Sequence, residues 1–138
     1  MRITAIIVDD DPIMCMVHRK VLTSCGYASD LETFHNGLDA VKYFDTHYDA
    51  ENFYLVLLDL NMPVLDGWGF LDQVQNRYSS SNLKIVVVTS STSKDDHEKA
   101  SSYPLVAAYL EKPLRRDMVK NLLVTLPPSH IDIPDILD

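Results

Sequence analysis

The chain has 138 residues, enough for one ordinary domain with a real core and too few for that core plus a separate catalytic or DNA-binding domain. Hydrophobic residues make up 46% and charged residues 23%, a balance that excludes a low-complexity or disordered chain as the starting point. A formal charge of −8 argues against direct nucleic-acid binding, because phosphate backbones are held by clustered Lys and Arg, and it points to protein partners.

The first apolar run, 3–8 (ITAIIV), ends at Asp9, Asp10 and Asp11. Acids that close to so short a run make neither a signal peptide nor a membrane span, so a cytoplasmic protein without membrane association is expected. Pro12 suits the first turn of a helix, where its missing N–H is not needed, and Met14, Val17, Val21, Leu22 and Cys25 form that helix's apolar stripe up to Gly26. Cys15 and Cys25 lie too far apart along such a helix for a disulfide and are expected as buried thiols.

A weaker strand at 28–34 is followed by an Asn36-Gly37 turn and a second helix with Leu38, Val41 and Phe44. The run 54–58 (YLVLL) ends at Asp59; Gly67 then permits tight entry into a third helix that carries Trp68, Leu71, Val74 and Tyr78. The run 85–88 (IVVV) leads into Thr89, Ser90 and Ser91, and 94–103 is a helix whose apolar anchors are little more than Ala100 and Tyr103. The run 106–110 (VAAYL) leads to Lys112, and the last helix carries Met118, Val119, Leu122, Leu123 and Leu126. The residues 127–138 are expected to form a partly ordered tail on that helix.

Short Val/Ile/Leu-rich runs without polar alternation fit strands buried on both faces of a parallel sheet. Alternating with helices five times, they predict an α/β, doubly wound open sheet. In such sheets function gathers at the carboxyl ends of the strands. There the sequence puts Asp9, Asp10 and Asp11, then Asp59, then Thr89, Ser90 and Ser91, then Lys112. Each alone could cap a helix or be solvated, but carboxylates drawn together at adjacent strand ends repel and call for protons or a cation. An all-oxygen set suits Mg²⁺, whereas zinc would want His or Cys at ligand spacing. His18, His35, His47, His97 and His130 show no such spacing and are read as surface or core residues.

The stretches Ile6-Ile7-Val8-Asp9-Asp10-Asp11-Pro12, Leu57-Leu58-Asp59-Leu60-Asn61-Met62-Pro63 with Asp66-Gly67, Val87-Val88-Thr89-Ser90 and Tyr109-Leu110-Glu111-Lys112-Pro113 together resemble the response-regulator receiver family of two-component systems. The resemblance implies a single, chemotaxis-regulator-like receiver domain over 1–126, with 127–138 as a short tail. It further implies a flavodoxin-like, five-stranded parallel sheet of order 2-1-3-4-5 with helices on both faces. Asp59 would be the phosphorylation site, and Asp10, Asp59 and the Asn61 backbone carbonyl would ligate Mg²⁺, with Asp9 acting through water. Thr89 and Lys112 would contact the phosphoryl oxygens, with a cis bond before Pro113, and Thr89 and Tyr109 would form the switch.

By the same resemblance the chain is a phosphoacceptor signalling domain, not an enzyme beyond its own phosphorylation and dephosphorylation. Its partners would be a sensor histidine kinase or histidine phosphotransfer protein and a downstream protein target. An alternative is a phosphorelay intermediate that passes the group to another histidine domain. A haloacid-dehalogenase-type phosphatase would want a second Asp two residues after the nucleophile, where Asn61 stands, and a flavodoxin-like binder would want a Ser/Thr/Gly-rich loop where Asp9, Asp10 and Asp11 stand.

Overall fold

The computed structural model describes residues 2–26 and 30–125. Five strands alternate with five helices: β1 (Ile3–Val8), α1 (Pro12–Ser24), β2 (Leu31–Phe34), α2 (Gly37–His47), β3 (Phe53–Leu58), α3 (Gly67–Val74), β4 (Leu83–Thr89), α4 (Lys94–Ser101), β5 (Val106–Glu111) and α5 (Arg116–Thr125). All pairings are parallel and the order is β2-β1-β3-β4-β5, the doubly wound arrangement expected. The fold is therefore an α/β open sheet with its topological switch between β1 and β3.

Alternation along each strand divides the core in two. Ala5, Ile7, Leu55, Leu57, Val86 and Val88 face α1 and α5, where Cys15, Leu22, Leu114, Val119 and Leu122 complete one layer. Ile6, Val8, Tyr54, Val56, Leu58 and Ile85 face the other way, onto Ala40, Val41 and Phe44 of α2 and Phe70, Leu71 and Val74 of α3. Polar caps start the helices: Asp11 accepts from the Ile13 and Met14 amides, Asn36 from Asp39, Asp66 from Gly69 and Ser93 from Asp96. Among the described residues, no helix is long and apolar enough to cross a membrane.

Four expectations are corrected. The last strand was read as buried on both faces, yet β5 is half-exposed along most of its length, because as an edge strand it pairs only with β4. The first helix buries Leu22 and Cys25 of the expected stripe but adds Cys15 and His18 from beside it, leaving Met14, Val17 and Val21 half-buried, because the buried face is the one turned to α5. The third helix stops at Val74, and Tyr78 packs from the following turn against Phe44 and Tyr48. The fourth helix stops at Ser101, with the Tyr103 amide turned back onto Ala100 O at 3.1 Å. The strand read at 28–34 is β2, Leu31–Phe34; its first residues and the tail 127–138 lie outside the described residues.

Cys15 and Cys25 are both buried free thiols, as read from their spacing. Burial, reinforced by the charges of Asp9 and Asp11, pushes the Cys15 thiol up to about 11, so it has little thiolate character at neutral pH.

Candidate functional site: a carboxylate cleft at the ends of β1, β3 and β5

Because β1 and β3 are neighbours paired Val8 to Leu58, the residues that follow them, Asp9 and Asp59, emerge side by side. Backbone bonds hold that exit: the Asp59 amide donates to Val8 O at 2.9 Å, and the Asp9 amide to Phe34 O at 3.0 Å. Both side chains are almost fully buried, at 2% exposure for Asp9 and 5% for Asp59, whereas Asp10 is exposed. Carboxylate oxygens of Asp9, Asp10 and Asp59 lie within 4.8 Å of one another.

Lys112 reaches this cluster from the end of β5. Its Nζ is 2.8 Å from Asp9 Oδ2 and 3.4 Å from Asp59 Oδ2. The Lys112 amide donates to Thr89 O at 2.8 Å, and the peptide bond to Pro113 is cis. Burial alone would lower the ammonium, but the hydrogen bond and charge of Asp9, with Asp59 behind it, outweigh burial and hold Lys112 above its ordinary value. Asp59 is pushed up, first by burial and then by the charge of Asp9, while Lys112 and the Asn61 backbone work in the opposite direction.

Three carboxylates facing one ammonium leave two negative charges uncompensated, and every donor is an oxygen. That donor set fits a hard divalent cation such as Mg²⁺. Asp9 is the least free of the three, since Oδ1 accepts from the Asp11 amide at 2.9 Å and Oδ2 faces Lys112.

Gly67 holds the floor of the cleft. Its amide donates to Leu60 O at 3.0 Å, and a Cβ there would fall 2.5 Å from Asp59 O and 2.7 Å from Leu60 Cα. The requirement is close backbone approach, not only the tight helix entry read from the sequence. Gly67→Ala is therefore expected to lower stability by ~2 kcal/mol in urea melts, because the methyl group can be admitted only by moving the strand end that carries Asp59. An unchanged melt would contradict this packing.

The other site residues fall as follows. Thr89 ends β4, is fully buried, and accepts from the Ser91 amide at 3.2 Å. Tyr109 on β5 is half-buried, donates to Ser91 O at 3.3 Å and meets the His97 ring edge-on at 4.8 Å. Asn61 follows Asp59 and is exposed. Asp11 caps α1, its side chain accepting from the Ile13 and Met14 amides. Trp68 packs on α4 and its loop, with Lys99 Nζ 4.3 Å from its ring centroid and Tyr103 beside it.

Two roles are not legible in the sequence: that of Ser91, which it places only at a strand end, and that of His18, which it gives only as a surface or core residue. Ser91 bonds Thr89 through its amide, Tyr109 through its carbonyl and Asp96 of α4 through its hydroxyl, at 2.8 Å for the last. His18 is buried in α1 and accepts from the Leu114 amide at 3.1 Å. A histidine beside the apolar line of α1 was the only sequence signal for the second.

Residues 5–123 match the family model of the response regulator receiver domain. The chain belongs to that family. The receiver domain is 33% identical over 122 residues to the two-component response regulator ARR22 of Arabidopsis thaliana, covering 88% of this chain and 81% of that one. A two component response regulator from Cytophaga hutchinsonii shares the receiver fold with a TM-score of 0.81 at 21% identity, over 91% of this chain and 96% of that chain. The same fold recurs in the CheX-CheY-BeF3-Mg+2 complex from Borrelia burgdorferi, with a TM-score of 0.76 at 23% identity, over 89% of this chain and 87% of that chain.

Proposed function

We propose that this receiver domain accepts a phosphoryl group on Asp59 from the phosphohistidine of a sensor histidine kinase or phosphotransfer protein, and passes the signal to a downstream protein. The reading rests chiefly on one observation: a buried carboxylate at a strand end with an ammonium 3.4 Å away and two further carboxylates beside it. An Asp59 oxygen attacks phosphorus, the P–N bond to the donor imidazole breaks, and the imidazole leaves with the electron pair. Lys112 offsets the repulsion between two anions and then holds a phosphoryl oxygen; the Thr89 hydroxyl holds another.

Asp10, Asp59 and the Asn61 backbone carbonyl would hold Mg²⁺, with Asp9, already engaged by Lys112 and the Asp11 amide, contributing through water. Bound there, the ion would supply the positive charge that the carboxylates and an incoming phosphoryl group require. The reading carries with it a cytoplasmic location and no direct contact with nucleic acid or membrane.

Signalling would pass through Ser91. A Thr89 hydroxyl drawn to the phosphoryl group changes its bond to the Ser91 amide, and Ser91 also holds the Tyr109 hydroxyl and Asp96. α4 has Ala100 as its one buried side chain, so little packing resists its displacement. The face formed by α4, β5 and α5 would then bind the target, as a shift between two arrangements. Thr89→Ala is expected to leave Asp59 phosphorylation in place while muting hydrogen-exchange changes over residues 91–109 on adding beryllofluoride. Full changes in the variant would remove Thr89 from the relay.

Intact mass spectrometry after incubation with acetyl phosphate and Mg²⁺, with mapping of the adduct, tests the proposal. One phosphoryl group on Asp59 is expected; none, or one elsewhere, overturns it.

A further inference from the structure

We propose that His18 is a positioning residue for Lys112, acting through the backbone of Leu114. The inference rests on the phosphoryl-binding role of Lys112 proposed above and adds a residue from the opposite end of the sequence to that role.

The buried side of α1 is otherwise made of Cys15 and Leu22, continued by Cys25, and it packs in the layer that holds Leu114, Val119 and Leu122. His18 sits in this apolar surface at 1% exposure. Helix packing alone gains nothing from an imidazole there, since a polar ring loses water on burial and must recover a hydrogen bond. It recovers one specific bond: the Leu114 amide donates to Nε2 at 3.1 Å, across 96 positions of sequence. Nε2 is thus the bare nitrogen of a neutral ring. Burial, the largest influence on His18, favours that neutral form.

The bond falls two residues after the lysine that reaches the carboxylate cleft. Between the end of β5 and the start of α5 run Lys112, Pro113, Leu114 and Arg115. The Lys112 amide is anchored on Thr89 O at 2.8 Å. Pro113 has no N–H to offer. The next donor is Leu114, and His18 takes it. Lys112 is thereby bracketed by two anchors, one on β4 and one on α1, and its ammonium is set 2.8 Å from Asp9 and 3.4 Å from Asp59. Placement of that charge matters on the ångström scale, because electrostatic help to phosphoryl transfer depends on the group being in place beforehand. A second tie, from Arg116 Nη1 to Ser24 O at 3.0 Å, joins α1 to the start of α5 and would maintain the packing of the two helices if the first were lost.

The test compares His18→Gln, whose amide oxygen reaches about as far as Nε2 and can accept the same bond, with His18→Leu, which fills the space without an acceptor. Folding is checked first by circular dichroism and urea melts. Phosphorylation rates with acetyl phosphate and Mg²⁺ are then measured in the native protein and in a Lys112→Ala background. His18→Leu is expected to slow phosphorylation about tenfold when Lys112 is present, the cost of a misplaced group well short of its removal. The same substitution should change the rate little when Lys112 is absent, and His18→Gln should retain most of the native rate.

Equal slowing in both backgrounds, or equal slowing by Leu and Gln, overturns the proposal, since a general packing defect would act without Lys112. So does a native rate in folded His18→Leu. If His18→Leu does not fold, His18→Asn, which is polar but too short to reach Leu114, takes its place with the same expectations. Native protein that takes no phosphoryl group on Asp59 overturns the phosphoacceptor reading and this inference together; native protein that labels normally while the variants fail the comparison overturns only the role of His18.

Discussion

Asp59→Asn is expected to abolish phosphoryl labelling and, at neutral pH without divalent cations, to melt at a higher urea concentration than the native protein. The amide has nearly the shape of the carboxylate but no anionic oxygen to attack phosphorus, so labelling falls to background. The gain in stability follows from the position of the charge. Burial first, and the charge of Asp9 second, raise the Asp59 carboxyl above its ordinary value of 3.8. A carboxyl raised on folding stabilises the native state where it is protonated, below 3.8, and loses that contribution as pH rises through its folded value. At neutral pH the ionised side chain is thus a cost that the amide removes, while Lys112 keeps its closer partner, Asp9, at 2.8 Å. The difference between variant and native protein should shrink toward nothing as pH falls below 3.8, where Asp59 becomes neutral in both states. Urea melts across pH in EDTA, with mass spectrometry of labelled samples, check both parts. A variant that still labels, or one less stable at neutral pH, would count against the role and the electrostatics respectively.

Lys112→Ala should have the largest effect on the apo protein. It strips Asp9 and Asp59, at 2% and 5% exposure, of the one ammonium that faces them both. Removing one partner of a buried ion pair costs about 3–5 kcal/mol, because the remaining charge is left in a poor dielectric. A loss of about 3 kcal/mol is expected in EDTA, part of it recovered when Mg²⁺ is added. Phosphorylation should persist at a reduced rate, since Asp59 remains, but target binding should no longer respond to it, because the β5 end has lost its tie to the phosphoryl group. Denaturant melts with and without Mg²⁺, and target binding before and after phosphorylation, decide the matter. Undiminished stability in EDTA would mean that the ion pairs contribute little; an intact binding response would mean that the signal leaves by another route.

The strands and their order of use were readable because they depend on local pattern. Runs such as 54–58 are apolar on both faces, and only a central strand of a parallel sheet buries both faces. The edge status of β5 was not readable. Its run 106–110 (VAAYL) carries no charge to mark an exposed face, and what exposes it is the lack of a neighbour beyond β5, a property of the whole sheet. The buried face of α1 was legible only in part: Leu22 and Cys25 lie on the apolar stripe, but the docking of α5 turns Cys15 and His18 inward as well, a rotation that the helical spacing alone does not fix. The third helix was overrun to Tyr78 because an aromatic at helical spacing looks the same whether it continues the helix or packs back from a turn.

By itself, the sequence determined that carboxylates, a hydroxyl and a lysine stand where strands end, because the end of an apolar run is a local feature and the carboxyl edge of a parallel sheet is common to all its strands. It also determined the helix starts at Asp11 and Asn36, where short polar side chains satisfy the first free amides. Only the tertiary structure decided which of those groups meet. Asp9, with both oxygens engaged, is separated from exposed Asp10 by burial and by Lys112, a distinction that adjacent identical residues cannot express in sequence. The tie from His18 to Leu114, and the convergence of Thr89, Tyr109 and Asp96 on Ser91, likewise depend on chain segments brought together by packing. Hydrogen bonds are directional and short-ranged, so their partners are set only once the sheet order and the helix packing have put donors within about 3 Å of acceptors.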